Sequence, residues 1–477
     1  MTRRSENPST RTVHPTRALA ALAFAGLCAA YMQTILVPIQ GRLPELLDAP
    51  LAVTGWAMTI MQMAAAVSMP VTGRLGDMYG KRRVALFLIG ALVLGSVVAA
   101  SADHIAVLIA GRFLQGIGFG VIVVGISLLR EVMPPERLGT AVALLSAMLG
   151  AGSALGTPVS AFVAERYDWH VLFWVSAALC ALAGTLVWAW VPPSTVKSGG
   201  RVDARGLIGL VLIVAAVLFL ISNGAAVTPL ARWGIGLGVV LLGALWVRHE
   251  LSAPRPLVNL RVNASRAVVM TNLTALAMGF SLFVPLLVFP QKLELPAAFG
   301  GLSMTQLTVS LLLVPMGLAM VLMSPLVGQL ERRWGAKRLV FSGALLLALG
   351  YALTLSFPPS VFLVLLAGVI IGAGTGLGFA AMPALIMAIV PPQETGSANG
   401  LNALGRTLGT AIAAAVTAGV LGNALVTIDG VTAPAQEGFN TVFVIALGAS
   451  VLCAVLSALI PTPPRLGAAQ RPALSAV

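Results

Sequence analysis

Apolar runs of about twenty residues follow one another from Ala18 to Pro461, separated by short polar turns that hold most of the charge. A bilayer core about 30 Å thick is crossed by about 20 residues of α-helix, so each run is long enough to span one. The pattern predicts fourteen spans, at 18–40, 52–72, 84–101, 105–130, 138–163, 170–191, 206–222, 231–247, 267–290, 305–330, 339–357, 360–389, 397–422 and 441–461. The ten-residue alternation of membrane β-strands is absent, and backbone in lipid must satisfy its own hydrogen bonds. The expectation is an all-α integral membrane bundle.

The turns repeat. "GRLGDMYGKRR" at Gly73 is echoed by "GQLERRWGAKR" at Gly328, and "EVMPPERLGTAVAL" at Glu131 by "AIVPPQETGSANGL" at Ala388. The two echoes stand at nearly one offset, which pairs span 2 with 10, 4 with 12 and 5 with 13. An offset of eight spans leaves six in each half and two between them, a 6+2+6 bundle with two pseudo-symmetric six-helix halves. The expected divisions are a cytoplasmic tail at 1–17, a first half at 18–191, a linker with two inserted helices at 192–266, a second half at 267–461 and a cytoplasmic tail at 462–477. Parallel repeats of this kind are a secondary-transporter design, with substrate held between the halves.

Composition sharpens this picture. Only 9% of residues are charged and 58% are hydrophobic, against about 25% and about 45–50% in soluble domains. The formal charge of +13 invites a nucleic-acid reading, but the basic residues are dispersed in turns between apolar runs. Of the 29 Lys and Arg, Arg42, Arg166, Arg232 and Lys292 fall on one side, Arg112 and Arg406 fall within spans, and the rest fall on the other side with both termini. The positive-inside rule makes that side cytoplasmic. The 16 acidic residues divide evenly. Cys28, Cys180 and Cys453 lie inside apolar runs, where a thiol packs as a small apolar group. No metal spacing, catalytic constellation or phosphate-binding GxxxxGK[ST] is present. "GAGTGLG" at Gly372 sits in an apolar run, not in a βαβ unit, and is not read as a dinucleotide loop. No enzyme activity, cofactor, nucleotide or nucleic-acid partner is expected.

"GRLGDMYGKRR" resembles the signature loop between helices 2 and 3 of the major facilitator superfamily, with Gly73, Asp77, Gly80 and Lys81 to Arg83 at its characteristic positions. "GRFLQGIGFG" from Gly111 resembles that superfamily's helix-4 motif through Arg112, Gln115 and Gly116. "GAGSALGTPVS" from Gly150 resembles its helix-5 antiporter motif, supplying a hinge at Gly152, Gly156 and Pro158 but lacking the closing glycine pair. Fourteen spans, "PLVNLRV" before span 9 and "NGLNALGRTLG" in span 13 are similar to the fourteen-helix drug/proton antiporter branch. The sequence departs from that branch in span 1, where "YMQTIL" puts Met32 at the position that many members give to Asp.

The resemblance implies a cytoplasmic gate at Gly73, Asp77, Gly80, Lys81, Arg82 and Glu131. Physically, Gly73 and Gly80 permit a tight reversal between close helices. Asp77 suits the exposed N–H groups of a helix N-terminus, and the basic trio can pair with Glu131. The plainer alternative for Lys81 to Arg83 is an orientation signal alone. Arg112, about 10 Å into span 4, costs about 2.5–3.5 kcal/mol if left bare in lipid, so a polar cavity or partner is expected. Tyr31, Met32, Gln33, Arg112, Gln115, Asn402 and Arg406 are the candidate substrate or coupling cavity, with Met58, Met61, Met63, Phe119 and Met148 as an adaptable apolar lining. No carboxylate lies mid-span to carry a proton by a raised pKa, so Glu45 and Asp48 at the outer edge are the candidate carriers. Pro38, Pro158, Pro315 and Pro383 are expected to kink their spans.

These features predict a secondary-active exporter of amphipathic small molecules, in the manner of multidrug or antibiotic efflux. It would work by alternating access in a bacterial cytoplasmic membrane, as a monomer whose partners are the bilayer, the substrate and protons. The alternative is movement of a lipid or cell-envelope component without a conventional proton carrier.

Overall fold

A computed structural model describes residues 14–194, 203–223, 227–253, 256, 258–356, 360–391, 394–428 and 431–461. Residues 1–13 of the expected N-terminal tail and the whole of the expected 462–477 tail lie outside the described residues. Fourteen long helices carry the chain: α1 Pro15–Thr34, α2 Trp56–Tyr79, α3 Lys81–Ala100, α4 Ile105–Val132, α5 Pro135–Arg166, α6 His170–Trp190, α7 Ala204–Asn223, α8 Pro229–Ser252, α9 Arg266–Glu294, α10 Gln306–Trp334, α11 Ala336–Ser356, α12 Val361–Ile389, α13 Thr395–Asn423 and α14 Gln436–Leu459. Thirteen of these are long and apolar enough to cross a bilayer. The exception is α2, whose apolar stretch is diluted by Gln62, Ser68, Pro70 and Thr72.

Helix ends follow local chemistry. Thr305 and Ser360 cap α10 and α12 by accepting from Thr308 and Leu363 N–H groups, as N-cap hydroxyls do. The repeat read from sequence reappears in the backbone. Gly80 (φ 100°) turns α2 into α3, and Gly335 (φ 81°) turns α10 into α11, a conformation that a side chain resists. Pro158, Pro315 and Pro383 sit inside helices as expected. Pro38 does not: α1 ends at Thr34, and Pro38 lies in a 3-10 segment, Val37–Arg42.

Each half has its own apolar core. Leu22, Leu88, Leu128 and Phe173 are among the residues buried in the first, and Phe289, Leu347, Phe439 and Phe443 among those buried in the second. The inserted pair divides its duties. Leu210, Val214 and Leu218 of α7 pack with Ala66 of α2 and Leu404 of α13, across the seam between halves, whereas the apolar window of α8 has no buried residue. An antiparallel hairpin, Leu425–Ile428 with Val431–Pro434, joins α13 to α14. The sequence did not suggest it at first reading, although Asp-Gly between short β-branched runs is the composition that two-residue hairpin loops favour.

The halves meet along α2 against α13 and α5 against α10. A Cβ on Gly73 would strike the Gly396 carbonyl, one on Gly400 would lie 2.6 Å from the Met69 carbonyl, and one on Gly328 would strike Thr140. These contacts concentrate at the end of the bundle that bears Lys81, Arg82, Arg332 and Lys337, called here the basic end.

Candidate central cavity and basic-end gate

The charged turn forms a cluster. Lys81 donates to Glu131 at 2.6 Å and lies 3.8 Å from Asp77, buried although it begins a helix. Asp77 in turn packs its carboxylate against Gly396, in the first turn of α13, where the helix dipole favours an anion. The turn of one half is thus held on a helix N-terminus of the other. Two further bridges cross at the same end: Arg130 donates to the Thr395 hydroxyl, and Arg332 to the Glu136 carbonyl at 3.1 Å. Beyond the apolar window of α10, which ends at Met323, Glu331 lies against Gly139 of α5. Burial pushes its carboxyl up, and Arg332 partly offsets this. Arg82 has another role from the one expected. It donates to the Trp188 carbonyl and its backbone N–H to Ser194, which ties the turn to the end of α6 inside one half.

Arg112 and Gln115 do not face the space between the halves. Arg112 is 1% exposed. Its Nε donates to the Ala57 carbonyl at 3.2 Å, and its Nη1 to the Met32 carbonyl and to Gln115 Oε1, each at 2.8 Å. Gln115 Nε2 then donates to Ser96 at 2.9 Å. The guanidinium therefore staples α1, α2 and α4 together and orients a glutamine that reaches α3. Tyr31 and Met32, with Met61 and Phe119, belong to the same interior packing. Of the expected cavity group in this half, Gln33 alone lines the inter-half space, donating to Gln62 at 2.8 Å.

That space is a cavity of about 50 Å³, far below the roughly 300–1,000 Å³ of drug-sized sites. Gln33 and Thr34 of α1, Ser153 of α5, Met316 and Met320 of α10 and Thr410 of α13 line it. Its methionines come from the second half, not from the α1, α2 and α5 positions expected. At the end opposite the basic one, Gln306 donates to the Pro38 carbonyl at 3.0 Å.

The second buried arginine stands differently. Arg406 is one helical turn from the cavity-lining Thr410, on the same face of α13 and nearer the basic end. Phe379 is two turns from the cavity-lining Gly372 on α12. The Arg406 guanidinium lies 4.8 Å from the centre of the Phe379 ring. It is 8% exposed, and its Nη1 has no hydrogen-bond partner. Asn402, a turn further on, donates to Asn272 of α9 at 3.2 Å.

The helix-5 glycines pack α5 against α1: a Cβ on Gly152 would lie 2.5 Å from the Leu27 carbonyl, and one on Gly156 would strike Thr34. Pro158 follows them within the same helix. Glu45 and Asp48 are exposed in the segment between α1 and α2. Sequence reasoning missed Arg130, Thr395, Arg332, Glu136 and Phe379. For Phe379 a faint signal existed, an aromatic residue directly after the glycine-rich stretch "GAGTGLG".

Two pseudo-symmetric helical halves around a central cavity are the architecture of a multi-pass membrane transporter. The chain belongs to the Major Facilitator Superfamily, whose model matches residues 22–301 and 269–475. It is similar to the "Multidrug resistance protein Stp" of Mycobacterium tuberculosis, at 26% identity over 375 residues, covering 77% of this chain and 68% of that one. It is also similar to "Multidrug resistance protein 3" of Bacillus subtilis, at 25% identity, covering 78% and 73%. Among solved structures, the human organic anion transporter MFSD10 aligns with a TM-score of 0.65 at 14% identity, covering 95% and 100%. The proton:xylose symporter XylE aligns with a TM-score of 0.67 at 14% identity, covering 94% and 96%; at these identities the likeness is one of fold. The chain is a membrane transporter acting on small molecules.

Proposed function

We propose that this transporter is a secondary-active exporter of amphipathic small molecules in a bacterial cytoplasmic membrane, with its basic end and both termini at the cytoplasm. The observation that carries the reading is the latch. Asp77 on the N-terminus of α13, Arg130 on Thr395 and Arg332 on the Glu136 carbonyl seal the basic end beneath a small central cavity. Breaking these bonds while the opposite end closes would carry a substrate across. The mixed lining of Leu282, Phe283, Met316, Met320, Gln33 and Thr410 suits molecules with an apolar body and a polar group. Without a phosphate-binding loop, the energy comes from an ion gradient. The proton coupling that the resemblance implies would have to run through groups other than a mid-span carboxylate, such as Glu45 and Asp48. The relatives named for multidrug resistance support the export direction.

The test is accumulation of a fluorescent amphiphile by inverted membrane vesicles, energised by an imposed ion gradient without ATP. The same vesicles are then assayed with Glu136→Cys and Arg332→Cys joined by a bifunctional maleimide. Accumulation that the bridge abolishes and its omission preserves is expected. Undiminished accumulation by the bridged protein would overturn alternating access at this gate.

A further inference from the structure

Arg406 has the environment of a binding group awaiting its counterion. Arg112 shows how this fold treats a structural cation in the membrane, with three hydrogen bonds to two carbonyls and a glutamine. Arg406 has a ring beneath it and an unpartnered Nη1. Among the described residues, every Asp and Glu lies in a loop, in a four-residue helix or in the first or last turn of a long helix, and none of these carboxylates sits at the depth of Arg406. That depth is about 16 Å along α13 from the basic end. A buried cation this far from water calls for an anion.

Its position says where the anion comes from. Thr410 lines the cavity and Arg406 is the next residue down the same face, with Asn402 a turn below. Gly372 lines the cavity and Phe379 lies two turns below it on α12. From the cavity toward the basic end, Thr410 is followed along α13 by Arg406, whose guanidinium lies over the Phe379 ring. An oxyanion paired end-on with an arginine that itself rests on an aromatic ring is a stable arrangement.

We propose that Arg406, held over Phe379, receives the anionic group of an amphipathic organic acid, so that the exported substrates are anions. This rests on the export reading above. The charge balance follows directly. The loaded carrier moves with Arg406 neutralised, and the empty carrier returns with it bare, so each cycle moves one negative charge outward. An inside-negative membrane potential drives that movement unaided, by up to about 50-fold in gradient per 100 mV. The transporter therefore needs no buried proton carrier, which is consistent with Met32 at the position where the resemblance to the drug/proton antiporter branch implies an aspartate.

The experiment uses two matched probes, naphthalene-1-sulfonate and (1-naphthylmethyl)trimethylammonium. They share a ring system and carry fixed charges of opposite sign. Full-length protein in phosphatidylcholine vesicles is given a valinomycin–potassium potential. Potential-driven flux of the sulfonate and not of the ammonium is expected. Arg406→Gln should lower sulfonate flux about 10- to 100-fold, and Phe379→Leu about 2- to 5-fold. The charge preference of the unmutated protein is decisive even where a variant folds poorly. Ammonium flux equal to or above sulfonate flux, or full sulfonate flux in Arg406→Gln, overturns the anion site while leaving export standing. Flux of neither probe overturns both. Loss of sulfonate flux on adding phosphatidylglycerol transfers the site from an organic acid to a lipid phosphate and overturns the substrate class proposed here.

Discussion

Among the described residues two arginines lie buried, one in each half, and the fold deals with them in opposite ways. Arg112 is bonded to the Ala57 and Met32 carbonyls and to Gln115 through three hydrogen bonds. Its charge is spent on holding four helices of the first half together. Arg406 is held over Phe379 with Nη1 unbonded, one turn from the cavity wall. A guanidinium tied to its own chain by three hydrogen bonds is part of the scaffold, whereas one resting on a ring with a buried, unbonded donor beside a cavity is part of a site. Burial alone does not distinguish them, because both are nine-tenths buried or more; the partners do.

The contrast breaks most visibly at Arg112. Arg112→Met removes three hydrogen bonds and leaves Gln115 half-satisfied, at a cost of about 2–4 kcal/mol. The expected result is a large fall in thermal unfolding temperature and in yield of monodisperse protein, measured by differential scanning fluorimetry in detergent. Arg406→Met goes the other way. Removing an uncompensated cation leaves stability unchanged or raises it by about 1–2 kcal/mol, while transport of anions is lost. A fall in unfolding temperature at 406 as large as at 112 would erase the distinction.

Smaller effects sharpen the account of the seal. In Gly396→Ala the new methyl group would meet the Asp77 side-chain Oδ2 at 2.7 Å and the Gly73 backbone carbonyl at 2.7 Å, and the second contact forces the two helices apart. The basic end should then spend more time open, read as a longer distance between spin labels at 136 and 332 and as about tenfold faster labelling of a cysteine placed at Thr140. Smallest is a pH effect at Glu331. Burial raises its carboxyl in the sealed form, and water restores the ordinary value when the end opens. The sealed form therefore binds the proton more tightly. Glu331 favours the seal below its ordinary pKa and loses that contribution as pH rises through the raised one. Spin-label distances across 136 and 332 should lengthen modestly over that range, and Glu331→Gln should flatten the change.

Much of this was legible in the chain. Apolar runs placed the fourteen helices, and the echo of "GRLGDMYGKRR" placed the two halves, down to the matching left-handed turns at Gly80 and Gly335. The pairing of Lys81 with Glu131 was also readable, because one signature turn and the adjacent end of span 4 carry it. The roles of Arg112 and Arg406 were not. Both read as cations within a span, and what separates them is supplied by α1 and α2 in one case and by α12 in the other. Hydrogen bonds to backbone carbonyls, as at Met32 and Ala57, leave no residue type to notice. The Arg130–Thr395 bridge joins residues 265 positions apart and has no periodic signature. Pro38 was misjudged because an apolar run continues past the point where α1 ends, and composition cannot register a helix that stops inside such a run.

The most direct measurement is the unfolding temperature of detergent-solubilised protein with and without naphthalene-1-sulfonate, on the unmutated chain and on Arg406→Gln. A ligand that binds the folded form raises that temperature by mass action. The account predicts a concentration-dependent rise in the unmutated protein that vanishes in the variant. An equal rise in both, or none in the unmutated protein, would contradict it.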